Sequence, residues 1–98
     1  MENYKIKVTD EALSDMEQIY NYIAYNLLSP EKAMKQYNKI ADVITSLSNF
    51  PEKFRCINGL GQRRAPVGNY SVFYVIKADT IYVTNVLYSA SDIEKRLK

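Results

Sequence analysis

Two adjacent arginines, Arg63 and Arg64, and a tyrosine closing the last apolar run, Tyr88, are the side chains best suited to chemistry in this sequence. A guanidinium can hold a phosphate through two parallel hydrogen bonds and stabilise charge developing on it. A phenol can stack on a base or orient a ribose hydroxyl. Tyr82, on the same strand parity as Tyr88, and Lys95 and Arg96 in the basic tail are candidates for contact with a target. Each has a plainer role open to it. Paired arginines at a strand edge also act as solvated charges that discourage edge pairing. Most of the nine tyrosines must be packing residues. A Lys-Arg-Leu-Lys ending also suits the C-terminus of a helix.

What is missing narrows the chemistry. There is no histidine, which removes the usual general base at neutral pH and the commonest metal ligand. No Cys-x-x-Cys pair, phosphate-cradling glycine loop or Gly-x-Ser-x-Gly elbow occurs. Cys56 is alone, so it can form no intrachain disulfide and has no partner for a metal. No metal and no cofactor are expected.

Ninety-eight residues with 47% hydrophobic content suit one compact domain spanning 1–98. No stretch approaches the roughly 20 apolar residues of a membrane span, and the first residues lack a signal-peptide pattern. The expectation is a cytoplasmic protein with no membrane partner. The net charge is +2, divided as −2 over residues 1–49 and +4 over residues 50–98. That asymmetry is too weak to make the chain a nucleic-acid binder by charge alone.

The elements that must position these residues follow from periodicity. Tyr4, Ile6 and Val8 alternate with lysines, predicting a short strand with one buried face. Thr9 or Asp10 can cap a helix whose stripe runs Leu13, Met16, Ile19 or Tyr20, Ile23 and Leu27, to about Leu28. Ser29-Pro30 then caps and opens a second helix with Ala33, Tyr37, Ile40, Ile44 and Leu47 inward, stopped at Pro51. The short link between them predicts an antiparallel helix hairpin. Residues 51–61 read as a loop, and Arg63–Val67 as a short strand. Tyr70–Lys77 and Thr80–Tyr88 are strands rich in Val, Ile, Tyr, Phe and Thr, joined by a turn at Ala78-Asp79. Asp92–Leu97 reads as a final helical turn or two. The fold class is therefore α+β: an N-terminal strand, two antiparallel helices packed on a mainly antiparallel curved sheet, and a short C-terminal helix.

A two-residue turn at Ala78-Asp79 sets the faces of the hairpin. It places Tyr70, Val72, Tyr74 and Ile76 with Ile81, Val83, Asn85 and Leu87, the more apolar face, towards the helices. Ser71, Phe73 and Val75 share the other face with Tyr82, Thr84, Val86 and Tyr88, a mixed surface suited to partly solvated work.

This order of elements resembles the RelE/ParE superfamily of toxins from bacterial type II toxin–antitoxin systems, over nearly the whole chain. The likeness rests on Ala12…Asp15-Met16…Ile19-Tyr20…Tyr22-Ile23 and on Leu47…Phe50-Pro51. It rests most on Arg63-Arg64…Val67-Gly68-Asn69-Tyr70…Phe73-Tyr74 and on Val86-Leu87-Tyr88…Asp92. The resemblance implies a growth inhibitor silenced by a cognate antitoxin, which docks on the helices and the sheet edge. Operator DNA would be reached only through that antitoxin, in a system of the plasmid-stabilising kind. It implies one of two targets. Ribonuclease members cut messenger RNA on the ribosome, without a metal, from a basic and aromatic sheet face. In that case Arg63 or Arg64 would stabilise the scissile phosphate and Tyr88 would position the substrate. Those members place an arginine early in the central strand, where this chain has Ser71, and some place a histidine just before a tyrosine near the end of the last strand, where it has Leu87 and Tyr88, or Tyr88 and Ser89. The Arg-Arg-x-Pro-Val-Gly-x-Tyr stretch is more similar to the ParE branch, which inhibits DNA gyrase by protein contact. A homologue that has lost activity is the third possibility.

Overall fold

The computed structural model describes residues 4–57 and 61–88. In chain order they form β1 (Lys5–Val8), α1 (Asp10–Asn21), a π-helical turn (Tyr22–Asn26), α2 (Pro30–Ser46), β2 (Arg63–Val67), β3 (Tyr70–Lys77) and β4 (Thr80–Tyr88). The four strands make one sheet in the order β1-β4-β3-β2. β1 runs parallel to β4, and the other pairs are antiparallel. The α+β architecture expected from the sequence is the one observed. The predicted turn at Asp92–Leu97 lies outside the described residues.

Thr9 caps α1, its Oγ1 accepting the backbone N–H of Ala12 at 3.2 Å. The same hydroxyl donates to the Val83 carbonyl at 2.9 Å, which fixes the start of the helix over β4. Asp10 and Glu11 complement the helix dipole in the first turn. Pro30 occupies the first turn of α2, as expected, but Ser29 makes no side-chain cap bond.

Two residues of the predicted α1 stripe are misplaced. Leu13 is 47% exposed and Ala12 is buried in its place, while Met16 is buried as expected. Leu27 is 56% exposed because the helix widens into a π turn at Tyr22, which resets the facing of every later side chain. Ile23 is inward as expected and, with Ala24, packs with Ala33 of α2. The two helices also meet through an edge-to-face contact of Tyr20 and Tyr37, ring centroids 6.3 Å apart.

The core lies between the helix pair and one sheet face, where Met16, Ile40 and Leu47 meet Val72, Tyr74, Ile81 and Val83. Burying each such aliphatic side chain contributes about 1.5–3 kcal/mol, which holds the helices on the sheet. Tyr74 is fully buried, and its hydroxyl donates to the Pro51 carbonyl at 2.7 Å, pinning the loop that follows α2.

The β2–β3 turn depends on Gly68, which has φ +62°. The β3–β4 turn places Ala78 at φ +54° without a glycine. This is the expected Ala78-Asp79 turn, and the pairing from Lys77↔Thr80 to Tyr74↔Val83 follows it. Between Tyr74 and Phe73 the register shifts, so that Phe73 pairs with Asn85 and Tyr70 with Tyr88. The extra residue is a β-bulge in β4 at Thr84. It corrects the expected facing of the far half of β4. Val86 joins the helix-side core, and Tyr88 stands beside Tyr70 on that face. Leu87 instead clusters with Phe73 on the opposite face.

Candidate functional site

β2 alternates its side chains across the sheet, so the two adjacent arginines diverge. Arg63 shares the helix-side face with the buried Ala65 and Val67. It pairs with Tyr74, and its Nη1 donates to the Phe54 carbonyl. Cys56 bridges to Arg63, and Ile57 N–H donates to the Gln62 carbonyl at 2.7 Å. This guanidinium therefore closes the loop after α2 onto the sheet. Arg64, in register with Phe73, is exposed on the opposite face.

Tyr88 meets Tyr70 at a ring-centroid distance of 5.4 Å and an interplanar angle of 61°. Both are on the helix side, four β3 positions from the Arg63 pair, which is about 13 Å along a strand. The structure thus brings Arg63, Arg64 and Tyr88 into no common concavity. Tyr82 is half-buried on the face opposite the helices, in register with Lys7 and Val75. Lys95 and Arg96 lie outside the described residues. On that opposite face Ser71, Phe73 and Leu87 are 0%, 0% and 4% exposed, so the surface expected to be partly solvated is closed there. Its exposed part carries Lys5, Lys7, Lys77 and Arg64.

A concavity lies on the helix side of the sheet. A groove of about 610 Å³ opens between the helix hairpin and the end of the β3–β4 ladder. Tyr22 and Leu27 form one wall, Lys32 and Gln36 another, and Tyr70 and Tyr88 the floor, with Asp15 at the side. Asp15 is spoken for: its carboxylate accepts the backbone N–H of Val86 at 2.9 Å and the Asn85 amide at 3.4 Å. Burial raises the Tyr70 phenol above its ordinary value, and the neighbouring Tyr88 and Tyr22 phenols add to the rise. Tyr74 is also raised, chiefly by burial, against the opposing charge of Arg63. Both phenols are therefore neutral hydrogen-bonding groups at physiological pH.

Of the groove residues, Tyr88 alone was singled out from sequence as a candidate for chemistry. The available signal was the run Tyr22, Tyr25, Leu27 and Leu28, too apolar for one helix face to bury; they are 52%, 70%, 56% and 83% exposed. Among the described residues no three His, Cys, Asp or Glu side chains group as a metal would require. No helix among them is long and apolar enough to cross a membrane.

Two helices on one face of a four-stranded mixed sheet, with a short parallel strand at its edge, define a small α+β fold. The family model of the ParE toxin of the type II toxin–antitoxin system parDE matches residues 6–93. The chain belongs to that family. Among solved structures, a chain of the chromosomal ParDE system of P. aeruginosa superposes with a TM-score of 0.78 at 22% identity, covering 87% of this chain and 95% of that one. The RelBE2 toxin–antitoxin complex of Mycobacterium tuberculosis gives a TM-score of 0.61 at 20% identity over 93% and 97% of the two chains. The archaeal RelE–RelB complex of Pyrococcus horikoshii gives 0.64 at 18% identity over 90% and 97%. A search of curated proteins finds no match.

Proposed function

We propose that this toxin inhibits DNA gyrase by protein contact, in the cytoplasm, and is held silent by a cognate antitoxin. The observation that carries this reading is the dispersal of the groups that phosphate chemistry needs. Arg63 is committed to the Phe54 carbonyl, Arg64 projects from the opposite face, and Tyr88 packs on Tyr70. Stabilising a phosphoryl transition state requires donors that converge on one position, whereas a binding inhibitor needs only a shaped surface. Membership of the ParE family supports the same target. Likeness to structures solved as ParDE and RelBE toxin–antitoxin complexes supports the antitoxin as partner.

The test is purified toxin added to gyrase with supercoiled and relaxed plasmid. The expected outcome is loss of supercoiling or accumulation of cleaved complexes at micromolar toxin. Unchanged gyrase at that concentration overturns the reading. One observation favours a second target, ribosome-bound messenger RNA: Lys7 pairs with Tyr82 on the face opposite the helices, with Lys77 close by on β3 and Arg64 on the same face two strands away. Cleavage of messenger RNA on programmed ribosomes would select that alternative.

A further inference from the structure

We propose that the far half of β4, residues 84–88, is a two-register element that slips by one position along β3. The slip carries Tyr88 from the groove floor to the opposite face of the sheet, and the Asp15 carboxylate holds the observed register against it. This device stands on the geometry of the sheet and does not depend on which target the toxin has.

The segment is separable from the rest of its strand. β1 pairs with β4 from Thr80 to Val83. Thr9 marks the end of that stretch, its backbone N–H and its hydroxyl both donating to the Val83 carbonyl. Beyond it, among the described strands, β4 has β3 alone as a ladder partner. The bulge falls at this boundary. Expelling it leaves Thr80–Val83 in place, while residues 84–88 advance about 3.4 Å and take new partners.

The two registers are close in apolar burial. Tyr70 now pairs with Tyr88, Ser71 with Leu87 and Val72 with Val86. After the slip Tyr70 meets Leu87, Ser71 meets Val86 and Val72 meets Asn85. A one-residue shift exchanges faces, so Leu87 goes under the helices and Val86 goes against Phe73. Leu87 and Val86 are both buried, at 4% and 2% exposure, and exchanging two aliphatics one methylene apart nearly conserves core volume. Tyr88 is 44% exposed and has little burial to lose. Asn85 takes the place of Val86, and its amide already meets Asp15 at 3.4 Å.

What selects the observed register is polar. Asp15 accepts the Val86 N–H at 2.9 Å. The Thr84 hydroxyl donates to the Phe73 carbonyl at 3.2 Å and accepts the Gln62 amide at 3.1 Å. In the slipped register Thr84 rejoins the ladder opposite Phe73, and backbone pairing replaces what these side chains supply. The choice therefore turns on a few side-chain bonds against one more ladder pair. Its consequence is a change of surface. The bulged register floors the groove with Tyr70 and Tyr88. The slipped one puts Leu87 there and adds the Tyr88 phenol to the face that carries Tyr82. Contact with Tyr88 on either face draws the strand away from the other.

Relaxation-dispersion NMR on the isotope-labelled full chain tests this. In wild type the expected result is microsecond-to-millisecond exchange confined to Tyr70–Phe73 and residues 84–88, with a minor state on the order of 1%. Deleting Thr84 gives an unbroken ladder, Tyr74 with Val83 and Phe73 with Asn85, and should abolish that exchange. Asp15→Ala should raise the minor state about tenfold, so that cross-strand Overhauser contacts of Tyr70 with Leu87 appear beside those with Tyr88. Asp15→Asn keeps an acceptor oxygen and should fall between. Wild type without exchange in those residues overturns the proposal, as does exchange that runs into Thr80–Val83 or survives the loss of Thr84. So does a folded Asp15→Ala variant showing the Tyr70–Tyr88 contacts alone. Where a variant fails to fold, the wild-type dispersion decides.

Discussion

The Asp15 carboxylate accepts the backbone N–H of Val86 at 2.9 Å, and this bond secures the bulge that carries Tyr88 to the helix side of the sheet. A bulge leaves one strand group without its ladder partner. Here Asp15 of α1 supplies the substitute for the Val86 N–H, and Thr9 at the cap of that helix holds the Val83 carbonyl through both its backbone N–H and its hydroxyl. Asp15→Ala removes the acceptor and leaves a part-buried N–H unsatisfied, an expected loss of about 1–3 kcal/mol. Asp15→Asn keeps an oxygen in place and should lose about half as much. Urea unfolding of the two variants measures this. Equal losses would show that the side chain acts by something other than accepting that bond.

The two arginines should separate cleanly. Arg63→Ala breaks a charge-assisted bond to the Phe54 carbonyl and should cost about 2 kcal/mol. It should also raise proteolytic nicking within residues 51–57, the loop it holds. Arg64→Ala removes an exposed side chain and should leave stability within about 0.5 kcal/mol. Limited proteolysis with denaturant unfolding decides between them. Equal behaviour of the pair would remove the structural assignment of Arg63.

The fold was legible wherever a pattern stayed in one period. Ala33, Ile40, Ile44 and Leu47 gave α2, and the Val, Ile and Tyr runs gave β3 and β4, because burial of one face forces the repeat. The site was less legible because it depends on two departures from period. The bulge at Thr84 flips Val86, Leu87 and Tyr88 relative to a continuous ladder, and a one-residue shift exchanges faces completely. The π turn at Tyr22–Asn26 turns Leu27 outward. Neither has a composition signal, since Thr84 and Asn85 are unremarkable in a strand. The partners that stabilise the bulge, Thr9 and Asp15, are distant in sequence. Adjacent arginines suggested one site, yet strand alternation alone should have placed Arg63 and Arg64 on opposite faces.

Alkaline pH should unfold this protein through its buried phenols. The folded-state values of Tyr70 and Tyr74 are raised, so above about pH 10 the unfolded chain loses protons that the folded chain retains. Folded protein then binds more protons than unfolded, and stability must fall as pH rises. The contribution is complete below the unfolded value and is lost as pH climbs through the folded ones. Melting temperature measured from pH 8 to pH 11 should be flat and then fall. Tyr74→Phe should soften the fall while lowering stability at neutral pH, through loss of the 2.7 Å bond to Pro51. A melting temperature that rises above pH 10 would contradict the assignment.

Two non-glycine residues hold left-handed backbone, Ala78 at φ +54° and Leu28 at φ +53°. A side chain there costs about 1 kcal/mol relative to glycine. Ala78→Gly, at an exposed hairpin turn, should therefore stabilise, less the extra freedom glycine gives the unfolded chain, for a net gain of roughly 0.5 kcal/mol. A matching shift in the midpoint of chemical unfolding with unchanged slope is the expected result. Destabilisation would mean that the turn is not strained at Ala78.

Gln36 shows where the groove is built at the expense of the free fold. Its Nε2 is buried and has no hydrogen-bond partner among the described residues, although the residue lines the groove with Lys32. Leaving a buried amide donor unmade costs about 1–3 kcal/mol, and an apolar residue of the same shape removes that cost. Gln36→Met has nearly the same length and flexibility. It should stabilise the isolated toxin by about 1 kcal/mol, a rise in melting temperature of about 4–8 °C for a chain of this size. Thermal denaturation by circular dichroism reads it directly. A fall in melting temperature would mean that the amide is satisfied in the folded protein, and that this wall of the groove carries no unmet hydrogen-bonding demand.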